Sequence, residues 1–213
     1  MVKVGLTQRV EVFKDRNEDR DSLDQAWTCL LFDNGYLPIS LPNRVEKVDT
    51  LISELRLDGI ILTGGNDLSH LAGATNTAPE RDTFEQKLLV RCAMLDIPVL
   101  GVCRGMQMMV AHYGGELVPI TKHVATSHGI TVRSECAMPL TNRDTVNSFH
   151  NFGVHEDSLG PDLQSVAVAP DGSVEAVIHK SLQQWGIMWH PERPPYDVQD
   201  VNMFQTLFKR RKK

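Results

Sequence analysis

Cysteines, aromatic side chains and long apolar runs are all scarce in this chain, and each shortage excludes something. Four cysteines in 213 residues, at positions 29, 92, 103 and 136, show neither CxxC pairing nor metal-ligand spacing. They suggest no disulfide framework and no zinc site, so neither metal nor cofactor is expected. No apolar stretch approaches the about 20 residues of a membrane span. The opening Met1-Val2-Lys3-Val4-Gly5-Leu6-Thr7 lacks the apolar core of a signal peptide. A cytoplasmic location, where thiols stay reduced, is the expectation. Excess positive charge is also missing, since a net charge of −5 argues against a nucleic-acid surface. The closing Lys209-Arg210-Arg211-Lys212-Lys213 reads as cations complementing the dipole of a last helix. There is no internal repeat.

What is present is alternation. Residues 1–7 read as a first strand, and Asp19 to Asn34 has helical spacing, with Leu23, Ala26, Trp27, Leu30 and Leu31 along one face. Leu37–Leu41 reads as a strand, Val45–Leu55 as a helix, Gly59–Leu62 as a strand and Thr83–Asp96 as a helix. Pro98–Val102 is a strand and Gly105–Tyr113 a helix. Such β/α alternation predicts an α/β fold, a mainly parallel sheet flanked by helices, with ligands gathering at the carboxyl ends of the strands. Beyond about residue 115 the pattern becomes β-rich and partly antiparallel, through 130–132, 146–150, 163–168, 174–178 and 184–189, before a helix over 201–209. One domain over 1–213 is the expectation.

One segment carries chemistry. Gly101-Val102-Cys103-Arg104-Gly105-Met106-Gln107 places a cysteine between two glycines where an apolar strand turns into a helix. A strained strand-turn-helix elbow needs small residues beside it, and a helix N-terminus lowers a thiol pKa. Alone, the motif more often marks a buried cysteine in a tight turn than a nucleophile. Two distant segments change the balance: His190-Pro191-Glu192 after a strand-like run, and Gly64-Gly65 after the strand at 59–62. Together they supply nucleophile, base, orienting carboxylate and backbone donors for an oxyanion.

Gly-Val-Cys-Arg-Gly-Met-Gln, the upstream Gly-Gly and the terminal His-Pro-Glu, in that order, resemble the class I glutamine amidotransferase superfamily. His123, His128 and Val146-Asn147-Ser148-Phe149-His150 are similar to its γ-glutamyl hydrolase branch, peptidase C26. Leu6-Thr7-Gln8-Arg9, Gly64 to Ser69, Asn147 to Phe152 and Gly186 to Arg193 narrow the likeness to γ-glutamyl-CDP-amidate hydrolases of bacterial capsule biosynthesis. His150-Asn151 departs from the branch's usual His-His pair.

The resemblance implies a flavodoxin-like fold and a Cys103, His190, Glu192 triad working through a γ-glutamyl thioester. It implies oxyanion donors at Arg104 and the Gly64-Gly65 turn. Glutamyl contacts would come from Gln107 and the main chain of Ser148, Phe149 and His150. Arg9, Arg20 and Arg81 are candidates for a diphosphate, although each also reads as a solvated arginine. Trp27, Met106, Met108 and Met109 read as core. Gly73 to Arg81 reads as a mobile stretch. The expected partner is a small γ-glutamyl amide, with no nucleic acid and no membrane; a homodimer stays open. A γ-glutamyl-γ-aminobutyrate-type hydrolase, and a glutaminase subunit passing ammonia to a separate synthetase, are the competing functions.

Overall fold

The computed structural model describes residues 1–133, 137–140 and 143–209. Its strands are β1 (Val2–Leu6), β2 (Arg9–Phe13), β3 (Glu18–Ser22), β4 (Tyr36–Ser40), β5 (Gly59–Leu62), β6 (Val99–Val102) and β7 (Val118–Pro119). There follow β8 (Val124–Gly129), β9 (Thr131–Val132), β10 (Thr145–Phe149), β11 (Phe152–Gly153), β12 (Leu163–Val168), β13 (Val174–His179) and β14 (Gln184–Ile187). The helices are α1 (Gln25–Asp33), α2 (Val48–Leu55), α3 (Pro79–Leu95), α4 (Arg104–His112) and α5 (Val198–Leu207).

Eight strands form the central sheet in the order β4-β1-β5-β6-β14-β13-β12-β9. The first five are parallel, and β13, β12 and β9 continue antiparallel. The fold is therefore the mainly parallel, helix-flanked sheet that the alternation predicts, with its antiparallel extension.

Burial on both faces explains the continuous apolar runs of the central strands. Ile60, Leu62 and Val99 pack against α2, α3 and the Met108-Met109 side of α4. Ile61, Leu100 and Val102 face the opposite way, onto Trp27, Leu30 and Leu31 of α1 and Met203, Phe204 and Leu207 of α5. Trp27, Met106, Met108 and Met109 are all core.

The helix read from Asp19 starts later, at Gln25. Glu18–Ser22 instead pairs antiparallel with Arg9–Phe13, and Asp24 caps α1 by accepting a 2.9 Å hydrogen bond from Ala26 N–H. Helix α3 begins four residues before the expected Thr83, with Pro79 at its first turn, where a missing N–H costs nothing. That start absorbs the end of the stretch read as mobile. Within the same stretch, Asn76 O accepts from Asp67 N–H at 2.6 Å, and Thr77 bridges to Asp67. Cys136 and residues 210–213 lie outside the described residues.

Candidate active site

Strand β6 ends at Val102 and α4 begins at Arg104, so Cys103 alone makes the turn. Its φ of 51° and ψ of −106° lie where a residue with a Cβ is strained. The flanking glycines permit it. A Cβ on Gly101 would stand 2.6 Å from the Gly105 backbone, and one on Gly105 would stand 2.0 Å from Leu62 O.

The neighbouring parallel strand delivers the histidine. Ile187 is in register with Val102, and Cys103 N–H donates to Ile187 O at 2.8 Å. Three residues on, His190 Nδ1 donates to Glu192 Oε1 at 2.8 Å, and the imidazole also hydrogen-bonds the Cys103 thiol. Burial raises the thiol pKa, but the His190 charge and hydrogen bond outweigh it, aided by His150 and the Arg104 N–H, and hold the thiol below its ordinary value. Burial likewise lowers the His190 pKa, yet Cys103 and then Glu192 push it up to about 9. The arrangement favours a thiolate–imidazolium pair.

Strand β5 brings the glycine turn to the same place. A Cβ on Gly64 would lie 2.8 Å from His190 Cε1 and 3.7 Å from Cys103 Cβ. Gly65 has φ of 83°, which suits glycine, and a Cβ there would meet Arg9 Nε at 2.8 Å. Arg81 grips the turn from below, its guanidinium donating to Thr63 O at 2.6 Å, Gly64 O at 3.1 Å and Gly65 O at 2.5 Å. C=O and N–H point opposite ways across a trans peptide, so the Gly65 and Asn66 amides turn away from Arg81.

Arg81 is therefore no solvated arginine. It and Glu85 are fully buried, paired at 2.9 Å, and Glu85 also holds the Arg104 side chain and accepts from Thr7 Oγ1 at 2.7 Å. Burial lowers the Arg81 pKa to about 10. Burial would raise that of Glu85, but Arg104 and Arg81 hold the carboxyl below the usual range. Nothing in the local sequence marks these charges as internal. Arg20 stays exposed, paired with Glu18 and lying 4.6 Å over the Phe13 ring. Arg9 is the one of the three arginines that reaches the pocket, which Trp27, Gly64, His190 and Glu192 also line.

Gln107 Nε2 donates to Phe152 O at 2.9 Å, tying α4 to β11. The His150 N–H donates to His123 O at 2.9 Å, and the Ser148 hydroxyl donates to the same carbonyl at 2.8 Å. The Phe149 ring stands edge-on to His190 at 5.8 Å, with Arg193 stacked over it at 3.7 Å. A residue the sequence reading gave no role clasps the histidine: Asn147 Nδ2 donates to His190 O at 2.9 Å, and His190 N–H donates to Asn147 Oδ1 at 2.8 Å.

Residues 4–192 match the family model described as peptidase C26. The chain belongs to the peptidase C26 family. A γ-glutamyl-CDP-amidate hydrolase of Campylobacter jejuni is 32% identical over 194 residues, covering 89% of this chain and 90% of that one. A γ-glutamyl-γ-aminobutyrate hydrolase of Escherichia coli O157:H7 is 30% identical over 201 residues, covering 80% and 78%. A glutamine amidotransferase from Thermotoga maritima superposes with a TM-score of 0.64 at 15% identity, covering 96% of this chain and 82% of its own. That likeness establishes the glutamine amidotransferase-like fold of this peptidase C26 chain.

Proposed function

We propose that the protein hydrolyses a γ-glutamyl amide through a Cys103 thioester. The observation that carries this is the in-register ending of β5, β6 and β14, which places the Gly64-Gly65 turn, Cys103 and the His190–Glu192 pair side by side. Cys103 Sγ attacks the γ-carbonyl carbon, and the new C–S bond leaves charge on oxygen. The Gly65 and Arg104 N–H groups donate hydrogen bonds to that oxygen. The protonated His190 then gives its proton to the leaving nitrogen as the C–N bond breaks. In the second half His190 takes a proton from water, whose oxygen attacks the thioester, and the proton returns to the departing Sγ. Glu192 keeps the ring oriented and stabilises its cationic form.

Within this class, γ-glutamyl-CDP-amidate is the substrate best supported, yielding glutamate and cytidine diphosphoramidate on a route to capsule phosphoramidate. The Campylobacter relative carries that name. Arg9, which lines the pocket beside Gly65, and Arg193, over the Phe149 ring that stands against His190, offer two cations for a diphosphate. Glutamate release by the isolated protein from γ-glutamyl-CDP-amidate, γ-glutamyl-γ-aminobutyrate and glutamine, with Cys103→Ala as control, tests it. Preference for the nucleotide conjugate is expected. Preference for the aminobutyrate conjugate would move the assignment to the second hydrolase class. Activity on none without an added synthetase would favour a glutaminase subunit.

A further inference from the structure

Behind the β8–β10 ribbon, His123, His128, His150 and Glu175 point one ligand atom each at a common centre, all within 4.8 Å of one another. His123 Nδ1, His128 Nε2 and His150 Nε2 each stand 3.6 Å from the same atom, Glu175 Oε1. That is too far for hydrogen bonds. It is close to the about 3.4 Å that separates two ligands on a tetrahedral ion with bonds of about 2.0–2.1 Å.

The far side of every ring settles which nitrogen faces inward with a lone pair. His123 Nε2 meets Asp171 Oδ2 at 2.8 Å, His128 Nδ1 meets Gly129 O at 3.0 Å, and His150 Nδ1 meets Phe152 O at 3.0 Å. All three partners are acceptors, so these nitrogens carry the protons and the inward nitrogens of neutral rings do not. The one competing donor among the described residues is the Ser148 hydroxyl, 3.3 Å from His123 Nδ1, but it lies nearer the His123 carbonyl, at 2.8 Å. His128 Nε2, His150 Nε2 and both Glu175 carboxylate oxygens are buried without a hydrogen-bond partner among the described residues. Three lone pairs and a carboxylate facing one buried point repel one another unless a cation or an added proton lies between them. Outer oxygen acceptors that fix the imidazole tautomer are the usual surroundings of metal-bound histidine.

We infer that His123, His128, His150 and Glu175 form a site for a divalent transition-metal ion, zinc above all, separate from the Cys103–His190 pair. Three imidazoles and one carboxylate suit Zn²⁺ and leave no protein ligand from the thiol. The ion ties β8 and β10 to β13 and so fixes the ribbon that carries Asn147 and Phe149 against His190. Its role is structural, and the inference does not depend on which amide is hydrolysed.

The test uses the full chain, stripped with a chelator, then titrated with Zn²⁺ against a chromophoric competitor and with Co²⁺ for visible absorption. One tight equivalent, a tetrahedral Co²⁺ spectrum and a higher melting temperature with metal are expected for the wild type and for Cys103→Ala. Binding should vanish in Glu175→Gln and His128→Ala, and Asp171→Ala should weaken it by roughly 10- to 100-fold. His128 is the partly exposed member of the cluster, so its variant should fold, which circular dichroism checks. Loss of binding in Cys103→Ala with retention in Glu175→Gln would put the ion on the catalytic pair and overturn the assignment. Absence of stoichiometric binding by the wild type would overturn it equally.

Discussion

Cys103 N–H donates to Ile187 O, so the elbow of one strand is hydrogen-bonded to the last residue of the strand that leads to His190. The separation of the Cys103 thiol and the His190 imidazole is thus tied to sheet register, and both groups are buried at 6% and 4% exposure. Iodoacetamide should consequently modify Cys103 faster than the exposed Cys29, because the thiolate rather than exposure sets the rate. His190→Ala should remove that advantage. Equal labelling of both cysteines in the wild type, read by peptide mass spectrometry, would contradict a polarised pair.

The same pair fixes a pH profile. In the proposed mechanism His190, with its pKa pushed up to about 9, gives its proton to the leaving nitrogen, so kcat/KM should fall as pH rises through about 9. The sign for stability is the same. A raised folded-state pKa contributes stability that is full below the unfolded value, about 6.5, and is lost as pH rises through about 9. Activity and melting temperature followed from pH 6 to 10 should both decline at the alkaline end, and Glu192→Gln should shift the activity limb to lower pH.

Much of this geometry was legible in the sequence, for a physical reason. Gly101 and Gly105 are demanded by close backbone approaches, Gly65 by its φ of 83°, and Gly64 stands against the His190 ring, so the glycines mark the turns that meet at the site. Cys103 and His190 follow apolar strand runs, and parallel strands collect their following residues at one edge. Long-range charge pairing leaves no such local mark. Arg81 and Glu85 sit four apart on α3 like any exposed helical pair, and only the fold shows them fully buried beneath the glycine turn. The sequence carries no mark of the β2–β3 hairpin, because its exposed Glu18–Asp21 edge lacks an apolar alternation and the helical spacing from Leu23 runs backwards across it. His128 and Glu175 come from two different strands and His123 and His150 from the loops beside them, with no common spacing.

The buried Arg81–Glu85–Arg104 cluster predicts a stability phenotype. Glu85→Gln leaves two buried guanidinium groups short of a carboxylate, and breaking a buried pair costs about 3–5 kcal/mol. In a chain of this length that corresponds to a melting temperature lower by roughly 10 °C. Because the Glu85 pKa lies below its ordinary value, its contribution is present above about pH 4.3 and is lost as pH falls through the folded-state value. Acid unfolding should therefore begin at higher pH in the variant's calorimetric profile than in the wild type. A melting temperature unchanged within a degree would show that the cluster contributes nothing net.

Gly64→Ala separates folding from catalysis. The added Cβ would stand 2.8 Å from His190 Cε1, a ring atom held from behind by Glu192 and through its backbone by Asn147, so the imidazole must shift away from Cys103. A displacement of about 1 Å at a reacting group costs on the order of 100-fold in rate. The loss should appear in kcat with KM little changed and the melting temperature nearly that of the wild type, since the backbone φ at Gly64 is not in the glycine-only region. Asn147→Ala should act in the same direction by releasing the His190 backbone, with Asn147→Asp restoring less than the parent because one of the two hydrogen bonds needs an amide N–H donor. If both variants kept full kcat, the position of the imidazole would be set by the strand alone.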